Sequence, residues 1–232
     1  MEGSMMDDPL AETHSLCRSF ADGNRTRLPV LFDINCHIDA GNSIALVGVS
    51  GSGKTTLLHI LGGLDIPTSG TIAWPALGPR EKLRPAKIGF VFQRPSLFPA
   101  LSVVQNVALP LLLLDGSDDA LVAATDLLDQ FGLLDLAEKL PEELSGGQAQ
   151  RVAMARALIT KPRLVLADEP TGQLDSSTAR QFLDVALYLI GRSGAAFVLA
   201  THDDAVAARL DIRWSLDAGR LSIDAWAQEA RR

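Results

Sequence analysis

Cysteine is scarce in this chain: two in 232 residues, Cys17 and Cys36, isolated and without the spacing of a metal site. Neither a disulfide framework nor a thiolate metal centre is expected, and in a reducing compartment both read as buried free thiols. Long apolar runs are lacking as well. The longest, Val107 to Leu114, has eight residues and contains Pro110, against the roughly 20 that a membrane-spanning helix needs. Basic charge is also short: 21 Lys and Arg against 28 Asp and Glu leave a net charge of −7, so no cationic surface for DNA or RNA is expected. The opening stretch MEGSMMDDPLAETHS has neither a basic segment nor an apolar one, which argues against a signal peptide and for a cytoplasmic location.

What the chain does have is apolar bulk. The hydrophobic fraction is 47% and the charged fraction 21%, the profile of a packed α/β protein, read here as one domain over 1–232. Ile44 to Val47 is a short apolar run that passes through a Gly/Ser-rich turn into a helical pattern from Lys54 to about Leu61. Lys87 to Gln93, Arg163 to Pro170 and Ala195 to His202 are further apolar runs that end in polar residues, as buried strands with functional C-terminal ends do. Asp119 to Leu134 and Ser176 to Gly194 have helical spacing. SLCRSF, VLFDINCHI and TIAW, near the start, read as an antiparallel portion beside the parallel core.

The strongest local signal is GVSGSGKT. Gly48, Val49, Ser50, Gly51, Ser52, Gly53, Lys54 and Thr55, with Thr56 following, fit a phosphate-binding loop between strand and helix. Small residues let backbone N–H groups curl around phosphate oxygens, the helix N-terminus favours negative charge, Lys54 neutralises β and γ phosphates, and Thr55 holds Mg²⁺. LVLADEP adds an independent requirement, for an apolar strand ending in Asp168 and Glu169 presents one carboxylate to a metal and the next to an attacking water.

LSGGQ (Leu144 to Gln148), about 90 residues after the loop and followed by LVLADEPTGQLD and ATHD, resembles the ATP-binding-cassette ATPases, over nearly the whole chain from about Leu16 to Leu221. The resemblance implies a P-loop NTPase with a RecA-like core, a mostly parallel sheet, an antiparallel β portion and a helical signature subdomain. The core lobe would comprise about 10–93 and 160–225, and the helical part about 94–159. It also implies roles: Gln93 meets Mg²⁺ and the attacking water, Glu169 is the general base, and His202 contacts the γ-phosphate. Asp168 and Thr55 hold the metal, and Asp175 crosses a dimer interface. Phe20 falls where an adenine-stacking tyrosine is usual, with plain core packing as the other reading. Ser145, at a helix N-cap with its hydroxyl free for an anion, joins Gly146, Gly147 and Gln148 in binding ATP held by a second copy of the chain, in a head-to-tail pair.

LLHILGGLDIPTSG and RPSLFPALSVVQNVALPLLL resemble the lipoprotein-releasing, macrolide-exporting and cell-division branch, whose ATPases pair with a separate membrane permease. The segment after Gln93 and Leu109 to Leu114 would then form much of the groove for the permease's coupling helix, on the inner face of the membrane. Gln173 replaces the branch's usual Asn, Ala149 a usual polar residue, and Thr71 to Lys87 is shorter than that branch leads one to expect. An active ATPase using ATP and Mg²⁺ is expected. The alternatives are a solute importer, whose ATPase often appends a regulatory domain after the cassette, and an ABC ATPase acting on nucleic acid, ribosomes or a cell-division complex. The acidic balance speaks against nucleic acid.

Overall fold

The computed structural model describes residues 8–22, 26–114, 116 and 119–224. Strands β1 (Ala11–Asp22) and β2 (Thr26–Ile38) run antiparallel. β3 (Ser43–Val47) leads through the glycine-rich turn into α1 (Lys54–Leu61), and β4 (Ser69–Ala73) returns to pair with the other edge of β1. The antiparallel strands are longer than SLCRSF and VLFDINCHI suggested. The reason is local: the β1 register shifts on both sides of Leu16, and Ser15 takes a φ of 44°, so apolar alternation is broken where a strand would otherwise be read through.

The main sheet adds β5 (Ile88–Val91), β6 (Leu164–Asp168), β7 (Ala196–Thr201), β8 (Ile212–Asp217) and β9 (Arg220–Asp224). Its order is β5-β6-β7-β3-β8-β9, parallel except for the last strand. β8 and β9 form a hairpin closed by Ala218 and Gly219, both left-handed at φ 44° and 75°. No Asn-Gly or Asp-Gly announces that turn, so the hairpin carries no local sequence signal.

Parallel strands buried on both faces explain why the runs at Ile44, Leu164 and Ala196 are apolar throughout. Ile44, Leu46, Leu164, Leu166 and Val198 face a core shared with α1 and β2 through Leu57, Leu61, Leu31 and Ile34. Their neighbours Ala45, Val47, Val165, Phe197 and Leu199 face the opposite core. That second core is covered by α2 (Val103–Leu114), α3 (Ala120–Gln130), α4 (Gly146–Leu158) and α5 (Ser176–Ser193), through residues such as Val107, Ala124, Met154 and Phe182. A single turn, α6 (Asp204–Ala207), follows β7. α3 ends sooner than Leu134, since Gly132 takes the left-handed conformation at φ 63°. Among the described residues no helix is long and apolar enough to cross a membrane. Cys36 is buried, but Cys17 is only half-buried, contrary to the expectation for both.

Candidate functional site

The parallel order brings the C-terminal ends of β3, β5, β6 and β7 to one edge, and the polar residues after each run meet there. β3 releases the chain into Gly48 to Gly53. Gly53 caps α1 at φ 107°, and a Cβ on it would lie 2.8 Å from Leu31 Cδ2, so only glycine fits. A Cβ on Gly48 would lie 2.3 Å from the Leu216 carbonyl oxygen of β8. Ser52, within the loop, is buried. The first residue of α1, Lys54, folds back over the loop: its Nζ donates to the carbonyls of Gly48 at 2.7 Å and Val49 at 3.2 Å.

Asp168 and Glu169 are adjacent, so along an extended strand they would point to opposite faces. Glu169 instead takes a φ of 47°, and that left-handed turn brings both carboxyls into the same cleft. Such a conformation in a non-glycine residue costs energy and is typical of functional positions. Asp168 accepts a hydrogen bond from Thr55 Oγ1 at 2.7 Å and is 3% exposed. Burial raises its pKa above the ordinary carboxylate value, and the Thr55 hydrogen bond offsets only part of that. Glu169 Oε1 lies 3.6 Å from Lys54 Nζ, and Glu169 Oε2 lies 2.8 Å from His202 Nδ1. His202 follows β7 and is largely exposed.

The resulting cleft, about 550 Å³, is lined by Val30, Val49, Ser50, Gly51, Gly53, Lys54, Thr55, Thr56, Gln93, Asp168, Glu169 and His202. Its volume lies in the range of nucleotide-sized ligands. A cation, a hydroxyl and two carboxylates at the mouth of a helix N-terminus suit a phosphate chain with a metal. A larger recess, about 690 Å³, opens beside β1 and β2 around Glu12, His14, His37 and Asp39. It has no phosphate-binding loop, so size alone does not mark the site. Val30 was missed by the sequence reading because nothing in VLF distinguishes a cleft wall from a core strand.

Other candidate residues lie outside the lining of this cleft. Phe20 is 40% exposed, with the Arg18 guanidinium 4.5 Å from its ring centroid, so it is not a core residue. Arg18 is itself held by Asp65 at 2.8 and 2.9 Å. Ser145 does cap α4, but its hydroxyl already accepts the Gln148 N–H at 3.2 Å, while Gln148 Oε1 accepts the Ser145 N–H at 2.8 Å. This capping box uses one lone pair of the serine and leaves its proton free to donate. A Cβ on Gly146 would lie 2.6 Å from Gln173 Oε1, and one on Gly147 2.6 Å from Leu174 Cδ2. Both atoms are the ends of flexible side chains, so a Cβ at either glycine would have to push Gln173 or Leu174 aside. Asp175 caps α5, accepting from the backbone N–H and hydroxyl of both Ser177 and Thr178. Those bonds hold its carboxyl far below the usual range.

Comparison with known proteins agrees with this geometry. A family model described as ABC transporter matches residues 31–172. The lipoprotein-releasing system ATP-binding protein LolD of Bordetella pertussis is 44% identical over 224 residues, covering 93% of this chain and 96% of that protein. LolD of Legionella pneumophila strain Paris is 42% identical over 224 residues, covering 93% and 98%. Among solved structures, the dimeric post-hydrolysis state of the ATP-binding cassette MJ0796, bound to ADP and Pi, superposes with a TM-score of 0.85 at 34% identity, covering 93% of this chain and 98% of that one.

Proposed function

Because the chain belongs to the ABC transporter family, we propose that it is the ATP-hydrolysing subunit of a membrane transport complex, of the kind that releases lipoproteins or does related work on the cell envelope. The observation that carries the reading is Glu169. Its two carboxyl oxygens reach His202 at 2.8 Å and Lys54 at 3.6 Å, beside the Thr55–Asp168 pair. Glu169 takes the proton of the attacking water, and His202 orients the carboxylate and meets the γ-phosphate. Lys54 leaves the carbonyls of Gly48 and Val49 for the β and γ phosphates, whose oxygens those carbonyls cannot match in charge. Phe20 offers its free face to adenine.

The donors fit Mg²⁺. The Thr55 hydroxyl, the Asp168 carboxylate and the Gln93 side chain are hard oxygen ligands around one cleft. Burial raises the pKa of Asp168, and a bound cation would favour its charged form. Held by Thr55, Asp168 and Gln93, the ion would neutralise the negative charge that develops on the phosphates during hydrolysis.

The chain works as a head-to-tail pair in which Ser145, Gly146, Gly147 and Gln148 complete the partner's site, as the dimeric state of MJ0796 suggests by analogy. Its second partner is a separate integral membrane permease, which it meets on the cytoplasmic face of the membrane. That permease docks beside the apolar surface of α2 and the preceding loop, where Phe98 and Leu113 are 51% and 71% exposed. Glu169→Gln is the decisive variant: hydrolysis falls almost to zero while an ATP-bound dimer accumulates on a sizing column. ATP turnover at the parental rate would show that Glu169 is not the base.

A further inference from the structure

We propose that Gln150, the second glutamine of GGQAQR, is a positioning residue that fixes the peptide entering Gln93 and so ties the signature helix to the reaction cleft. The inference rests on the reading of Gln93 as a group that meets Mg²⁺ and the attacking water.

Gln150 lies one turn inside α4 and is 1% exposed. Its Nε2 donates to the Phe92 carbonyl at 3.2 Å. That carbonyl belongs to the planar Phe92–Gln93 peptide, so holding it sets the direction in which Gln93 leaves the end of β5. Farther along α4, Arg156 donates to the Ser96 carbonyl at 2.8 Å and to Ser96 Oγ at 3.2 Å. One helix therefore holds the chain at Phe92, next to Gln93, and again at Ser96, three residues beyond it, and it is the helix whose N-terminus is Ser145 to Gly147.

Packing does not account for the amide. Gln150 Oε1 is buried without a hydrogen-bond partner, an arrangement that a Leu or Met of similar size would avoid. What those residues lack is the donor to the Phe92 carbonyl. A shift of α4 when the glycine pair takes up phosphate is passed by this bond to Gln93, before any longer-range rearrangement.

The test is a double-mutant cycle on the purified full chain, with kcat, KM for ATP and half-saturating Mg²⁺ measured for each form. Gln150→Leu is expected to lower kcat about tenfold or more, to leave KM for ATP within about twofold, and to raise the Mg²⁺ requirement. In a Gln93→Ala background the same substitution should add less than about twofold, since the group it positions is gone. Gln150→Met repeats the design if Leu lowers the thermal midpoint. Additive losses, a loss confined to KM, or an unchanged kcat in either folded variant would overturn the proposal. Failure of both variants to fold would make the amide purely structural and overturn it too. An unmutated chain that hydrolyses no ATP would instead count against the proposed function.

Discussion

Replacing Asn106 by Leu should loosen the loop between the cleft and α2 by an amount that can be worked from its bonds. Asn106 is wholly buried. Its Oδ1 accepts the Phe98 N–H at 2.7 Å, and its Nδ2 faces the carbonyls of Phe98 at 3.1 Å, Leu101 at 2.9 Å and Ser102 at 3.1 Å. Two amide protons serve those three carbonyls, so about three net hydrogen bonds are lost, at about 1 kcal/mol each. The better helix propensity of Leu returns only a few tenths of a kcal/mol. A loss of about 3 kcal/mol corresponds to a fall of roughly 6–12 °C in the midpoint of a chain this size, read by calorimetry of the nucleotide-free protein. Asn106→Asp keeps the shape and the bond from Phe98 but sets an acceptor against three acceptors, and should fall at least as far. A drop under about 2 °C in both variants would refute the assignment of this loop to Asn106.

Two further outcomes follow from titratable groups. Burial raises the Asp168 pKa above 3.8, so the stability linked to its protonated form is full below that unfolded value and lost as pH rises through the native one. Asp168→Asn should therefore raise the thermal midpoint at pH 7, with the gain shrinking on acidification, and abolish hydrolysis; a lower midpoint at pH 7 would contradict this. Burial also pushes the Cys36 thiol up to about 11, whereas Cys17 is half-buried. A thiol-specific disulfide reagent at pH 8 should titrate one thiol in the native chain and the second only after denaturation, and two rapid equivalents would contradict the burial of Cys36.

The strands of the main sheet were legible where burial on both faces makes every residue apolar. β3, β6 and β7 were placed to within a residue or two because Ile44, Leu164 and Ala196 each open an unbroken run. β8 and β9 were not, although Ile212, Trp214 and Leu216 alternate with polar residues as a half-buried strand does, because the turn at Ala218 and Gly219 has no Asn-Gly or Asp-Gly to announce a hairpin. The glycine-rich turn from β3 into α1 was legible because consecutive small residues followed by a lysine leave a contiguous pattern. The left-handed turn at Glu169, which brings it into the cleft beside Asp168, left no such trace in DEP. Gln150 was also silent, because a buried glutamine on a helix looks like any polar residue on a solvated face until its partner carbonyl, 58 residues away in sequence, is known.

The glycines of LSGGQ show how one local pattern answers two demands at different levels. Within the chain, the tips of the Gln173 and Leu174 side chains pack against them, and a Cβ on either glycine would have to displace the tip it meets. At the helix start, Ser145 and Gln148 satisfy each other, so α4 begins stably without a ligand, while the N–H groups of Gly146 and Gly147 keep no partner within the helix. Asp175, beyond Gln173 and Leu174, is likewise satisfied by Ser177 and Thr178. Each half-site is therefore satisfied in its own folding, and at the start of α4 the Gly146 and Gly147 N–H groups and the Ser145 hydroxyl proton stay available as donors. In the head-to-tail pair proposed above, closure on ATP then orders few new groups. The interaction energy is left for the phosphate, since association costs fall when both surfaces are formed in advance.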